Sequence, residues 1–182
     1  MRGICRTLVF ASVLCLSGCA LPWQQGVEKK KLLDRFDAAN ETYSKGKIRE
    51  AVVAYQALLK ERLKPSTWGK VTFNLGMAQK QLAEYDEAIS TFETIFASRV
   101  DDREPGESIM EQFRNYRYRA CLQISACYEA KGDRQRALNW ALNAREKYQY
   151  QSHCGNCAES ASKALEEWIN ALQKRQKAHS SR

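Results

Sequence analysis

From about residue 32 to residue 149, apolar residues recur at helical spacing and are interrupted only by short turns. Within that stretch the pattern copies itself. Asn74-Leu75-Gly76 is followed by Tyr85-Asp86-Glu87-Ala88-Ile89 and then by Phe92. Gly76 is small midway along one helix, and Ala88, twelve residues on, is small on the next. Phe92 lies one turn further along the same face and fills the space that the small residues open. Downstream, Ile124-Ser125, Tyr128, Gly132-Asp133, Ala137 and Ala141 take the same positions. A weaker copy upstream has Ala38-Ala39, Gly46, Ala51 and Tyr55. A helix pair patterned this way cannot bury its apolar face alone, so successive pairs must stack. Composition agrees: only 3 Pro and 9 Gly occur in 182 residues, too few breakers for a many-turned sandwich or barrel. With 44% apolar and 27% charged residues, the chain is not disordered throughout.

These residues resemble the tetratricopeptide family, whose period is 34 residues. The crossing alanines stand at 51, 88 and 137, so the intervals are 37 and 49. The family's Trp position holds Arg35, Thr72 and Cys121 instead. The resemblance implies an all-α fold, a short solenoid of helical hairpins with a C-terminal capping helix. Repeats are expected at about 32–65, 69–102 and 118–149, within a domain spanning 32–176. Ala161, Leu165, Trp168, Ile169 and Leu172 form the apolar stripe of the capping helix over 158–176, and 177–182 reads as a disordered tail. The longer second interval contains 99–117, with Pro105-Gly106 as a breaker and Ser108 and Glu111 spaced to cap a helix. That insertion reads either as a carrier of specificity or as a lengthened connection.

The N-terminus reads as an address. Arg2 and Arg6 precede a nine-residue apolar run, Leu8–Leu16, too short to span a bilayer. Leu16-Ser17-Gly18-Cys19 resembles the lipobox of bacterial lipoproteins. The resemblance implies a signal peptide over 1–18 and acylation of Cys19. Cleavage there removes 18 of 182 residues and lowers the net charge from +8 to +6. Ala20 after the cysteine leans towards outer-membrane sorting, which places the chain on the periplasmic face. Residues 19–31 show no helical periodicity and read as a lipidated tether with three Lys near the membrane.

Four cysteines remain in the mature chain: Cys121, Cys127, Cys154 and Cys157. Cys121 and Cys127 are six residues apart, about 9 Å along one helix, too far for a bridge. Either Cys154 bonds to Cys157, or the two loop cysteines bridge back to that helix. Covalent haem attachment needs His after the second cysteine, where Ala158 stands. Zinc binding by His153, Cys154 and Cys157 lacks a fourth ligand nearby, and a thioredoxin-like pair lacks its βαβ setting.

No nucleophile–base pair, phosphate-binding Gly loop or paired carboxylates occur in a defined context, so no catalytic residues and no cofactor are assigned. The positive charge is not interleaved with aromatics, which argues against nucleic acid. By resemblance, the chain is a non-enzymatic interaction module that binds a protein or peptide on the concave face of the first helices. On that face the register places Phe36, Asn40 and Tyr43, then Lys70, Phe73 and Met77, then Arg119, Leu122 and Ala126. Asn40, Asn74 and Arg119 match part of the family's carboxylate clamp, while Phe36 and Gln123 depart from it. A periplasmic thiol-redox or metal-binding protein using Cys154 and Cys157 is the competing class.

Overall fold

The computed structural model describes residues 22–98, 115–150 and 156–180, with side chains from residue 30 to residue 178. These residues form seven helices and, among themselves, no strand: α1 (Pro22–Ser44), α2 (Ile48–Leu59), α3 (Pro65–Gln81), α4 (Tyr85–Ala97), α5 (Tyr116–Ala130), α6 (Arg134–Glu146) and α7 (Cys157–Ser180). Each helix packs on the next, and α3 also touches α5. This is the all-α, tetratricopeptide-type hairpin solenoid with a C-terminal capping helix.

The small-residue positions explain the packing. Ala51, Ala88 and Ala137 have no exposed surface, and neither has Phe92. A Cβ added at Gly76 would sit 2.6 Å from Phe92 Cε1. The other hairpins divide the same space differently. The equivalent positions hold Ala39 and Tyr55 in the first hairpin and Ser125 and Ala141 in the third, all buried. In the third hairpin Trp168 of α7 donates its indole N–H to Ser125 Oγ at 2.9 Å, and Ser125 donates to the carbonyl of Ala137 at 2.7 Å.

Turn chemistry sets the hairpins. Gly46 and Gly132 hold left-handed φ angles of +76° and +82°. Ala83 takes the same place in the second hairpin at φ +59°, despite its Cβ. Asp133 caps α6 by accepting from the Arg136 backbone N–H at 3.0 Å.

Two cores result. One joins Ala39, Ile48, Ala51, Tyr55, Leu58, Val71, Leu75 and Ala78 from α1–α3. The other runs from Phe73 of α3 to Leu172 of α7. Helix α3 contributes to both.

Two expectations change. The segment read as a tether is helical from Pro22 onwards. Proline is favoured at a helix start, and Val27–Lys31 is short of breakers, so the helix nucleated by the first hairpin extends backwards. Likewise α7 continues to Ser180, through most of the segment read as a disordered tail. The signal segment, Cys19, residues 99–114 (with Ser108 and Glu111), His153 and Cys154 lie outside the described residues.

Candidate peptide-binding face

The hairpins alternate, so α1, α3 and α5 run parallel in one layer and α2, α4 and α6 form the other. Helix α7 joins the first layer: the Tyr118 hydroxyl donates to the Ala161 carbonyl at 3.1 Å, and Arg175 pairs with Glu129. Side chains also link the layer from helix to helix. Asn74 Nδ2 donates to Asn40 Oδ1 at 2.9 Å, which also accepts from the Tyr55 hydroxyl at 2.8 Å. Lys80 Nζ donates to Gln123 Oε1 at 2.7 Å. Burial raises the Tyr55 phenol pKa above its ordinary value.

The residues assigned to the concave face divide into four groups. Phe36, Tyr43, Met77, Leu122 and Ala126 are half-buried, each with part of its surface open. Lys70 is half-buried and Arg119 is exposed. Asn40 is on the layer, but its carbonyl oxygen is occupied by two internal donors. Phe73 is different: only 3% of it is exposed. Its ring packs at a tilt against Phe92, with centroids 5.4 Å apart, and against Tyr116 at 6.3 Å, and the Arg119 guanidinium lies 4.0 Å from its centroid. The helical period correctly turns Phe73 toward the layer, but α5 of the next hairpin lies over it. Phe73 therefore supports the face from below, and the exposed group there is Arg119. Partial desolvation lowers the Arg119 pKa below the ordinary arginine value, with Tyr116 and Tyr150 opposing, and the group stays cationic at neutral pH.

Sequence reasoning missed the Lys80–Gln123 and Trp168–Ser125 links. A signal was present for the first alone: Lys80 sits one turn beyond Met77, and Gln123 is next to Leu122. Cys121 and Cys127 are buried as thiols, and burial raises the Cys127 pKa. Cys157 is disulfide-bonded, with its partner outside the described residues. No group of three metal-ligating side chains occurs among the described residues, and no described helix is long and apolar enough to cross a membrane.

The fold and this open layer define a helical-repeat protein with a face made of first helices. Neither a protein-family model nor a curated protein sequence matches the chain. Solved structures do. The type III secretion translocator chaperone SycD of Yersinia enterocolitica aligns in its alternative dimer with a TM-score of 0.60 and 18% identity, over 81% of this chain and 95% of that one. SycD in complex with a peptide of the translocator YopD gives the same values. A further SycD structure aligns at 17% identity over 82% of this chain and 88% of that one, again with a TM-score of 0.60. At this identity the likeness is one of fold.

Proposed function

We propose that this chain is a non-enzymatic, lipid-anchored interaction module of the bacterial envelope. It takes a peptide or protein segment on the layer formed by α1, α3, α5 and α7 and serves as an assembly factor or scaffold. The observation that carries this is the row of half-buried Phe36, Met77 and Leu122 on three successive first helices, bordered by Lys70 and Arg119. Apolar side chains on a rigid, stacked surface can anchor a partner at little entropic cost. The likeness to SycD, captured with a translocator peptide, supports the same use of the fold. The Leu16-Ser17-Gly18-Cys19 sequence supports acylation at Cys19, and Ala20 supports the outer membrane. In this reading Cys154 is the disulfide partner of Cys157, and the bridge is structural, closing the entry to α7.

A photo-crosslinking residue placed at Phe36, Met77 or Leu122 should capture a partner in the native envelope. The same residue at Val53, 65% exposed on α2 of the other layer, should not. Equal capture from Val53 would remove the first layer as the binding face. Fatty-acid label on the native chain, abolished by Cys19→Ala, tests the anchor.

A further inference from the structure

The second layer holds a cavity that the peptide face does not use. Between α4 and α6 a concavity of about 230 Å³ is lined by Phe96, Trp140 and Tyr148, with Glu93, Asn143 and Lys147 around them. The three rings pack on the larger core and keep part of their surface open. Phe96 is central. Its centroid lies 5.4 Å from that of Trp140 at an interplanar angle of 47°, and 5.0 Å from that of Tyr148 at 59°. The rings are therefore tilted walls of a hollow rather than a closed stack. Elsewhere an arginine covers the aromatic surface: Arg119 over Phe73, Arg136 over Tyr128 and Arg175 over Trp168. No cation of the described residues lies over the Phe96 group. The polar atoms around the hollow are also unused. The Trp140 indole N–H, the Tyr148 hydroxyl, the Asn143 amide, the Glu93 carboxylate and the Lys147 ammonium have no hydrogen-bond or ion-pair partner among the described residues.

We propose that this cavity binds one pyranose ring of a glycan chain. Its groups select that class by charge and by hydrogen bonding. A cation would be attracted by Glu93 and repelled by Lys147, and an anion the reverse, so the rim favours a ligand without net charge. A purely apolar ligand would cover five polar groups and leave them unpaired, at a cost for each. A sugar ring meets both demands. Its C–H groups present an apolar face to Phe96 and Trp140, and its hydroxyls both donate and accept. The indole N–H and the ammonium only donate, the carboxylate only accepts, and the Tyr148 hydroxyl and Asn143 amide do both. Aromatic walls edged by a few polar groups are the common build of a small-ligand site. The volume falls below the roughly 300–1,000 Å³ of pockets that enclose a whole ligand, so one ring of a chain fits it, with the neighbouring rings outside. The site belongs to α4 and α6, the layer opposite the peptide face, and stands independently of the reading of that face.

The test applies the full chain to an array of glucose-, mannose- and N-acetylglucosamine-based oligosaccharides. The strongest of these is then titrated by calorimetry and by tryptophan fluorescence. Binding should be seen, and it should change little between about 0.05 and 0.5 M salt, because a neutral ligand releases no screened charge. Trp140→Ala should weaken it about tenfold or more, and Asn143→Ala by about two- to tenfold. Val53→Gln, on the same layer but outside the cavity, should leave it unchanged. Thermal melts show whether each variant is folded. Trp140→Phe keeps a ring and serves if the alanine variant does not fold: it should still bind, more weakly, and lose the fluorescence change. A blank array, binding that folded Trp140 and Asn143 variants both leave intact, or binding that falls steeply with salt would each overturn the proposal. So would a photo-crosslinking residue at Asn143 that captures a polypeptide and no glycan.

Discussion

One methyl group at residue 76 opposes two effects whose sizes can be worked out. Alanine exceeds glycine in helix propensity by about 1 kcal/mol, so Gly76→Ala would stabilise an unobstructed α3. The site is obstructed. The new Cβ would lie 2.6, 2.7 and 2.9 Å from Phe92 Cε1, Cζ and Cδ1. The Phe92 ring has no exposed surface and packs against Phe73, which in turn packs on Tyr116, so it has no free volume to enter. Overpacking of this kind costs about 1–3 kcal/mol. The net expectation is a loss of about 1 kcal/mol, read as a Tm lower by roughly 2–4 °C in thermal melts followed by circular dichroism. Phe92→Leu removes the obstructing ring edge at a cost of its own. In the double variant the Gly76→Ala loss should disappear, giving a coupling of about 1–2 kcal/mol. A Gly76→Ala protein that melts higher than the parent, or losses that simply add, would refute the tight α3–α4 contact.

Ala83→Gly should raise stability by about 0.5–1 kcal/mol, because an L-residue at φ +59° costs about 1–2 kcal/mol and the unfolded-state entropy of glycine returns part of that; a lower urea midpoint would contradict it. Trp168→Phe removes the donor to Ser125 Oγ and should cost about 1–2 kcal/mol in chemical denaturation, with α5 and α7 losing cooperativity together. The Asp133 carboxylate is held below its ordinary pKa first by the Arg136 backbone N–H and then by the Arg136 side chain. Its stabilising effect is present above the unfolded aspartate value and is lost as pH falls through the lower folded value. Asp133→Asn should therefore flatten the decline in melting temperature below about pH 4, and an unchanged acid limb would count against the cap. Cys127, with its thiol pKa raised by burial, should resist alkylation at pH 8 in the native protein and react promptly once the chain is unfolded.

The residues that proved easy to read are those whose role is local. Gly76, Ala88 and Phe92 sit on one hairpin, and their spacing alone says that small must face large. Ala51 and Ala137 follow the same rule. What escaped depends on the next hairpin. Helical periodicity gives the direction of Phe73 but not the width of the buried stripe, and α5 covers it from a position 43 residues or more away in sequence. The Asn40–Asn74 bond and the Trp168–Ser125 bond join helices whose separation no local pattern encodes. The start of α1 was missed for another reason: Pro22–Lys31 lacks an apolar stripe, and propagation from a formed helix needs none.

The division of α3 between two cores has a mechanical consequence. Val71, Leu75 and Ala78 face α1 and α2, whereas Phe73 faces α4 and α5. Among the described residues the smaller core holds α1 and α2 to the body through α3, with one exposed ion pair, Arg49–Glu84, beside it, and repeat arrays come apart at their weakest neighbour contact. Tension entering through the N-terminus loads α1 first. The α1–α2 hairpin should unzip at low force and act as an extensible leash, while α3–α7 stays folded and keeps Met77, Arg119 and Leu122 in place.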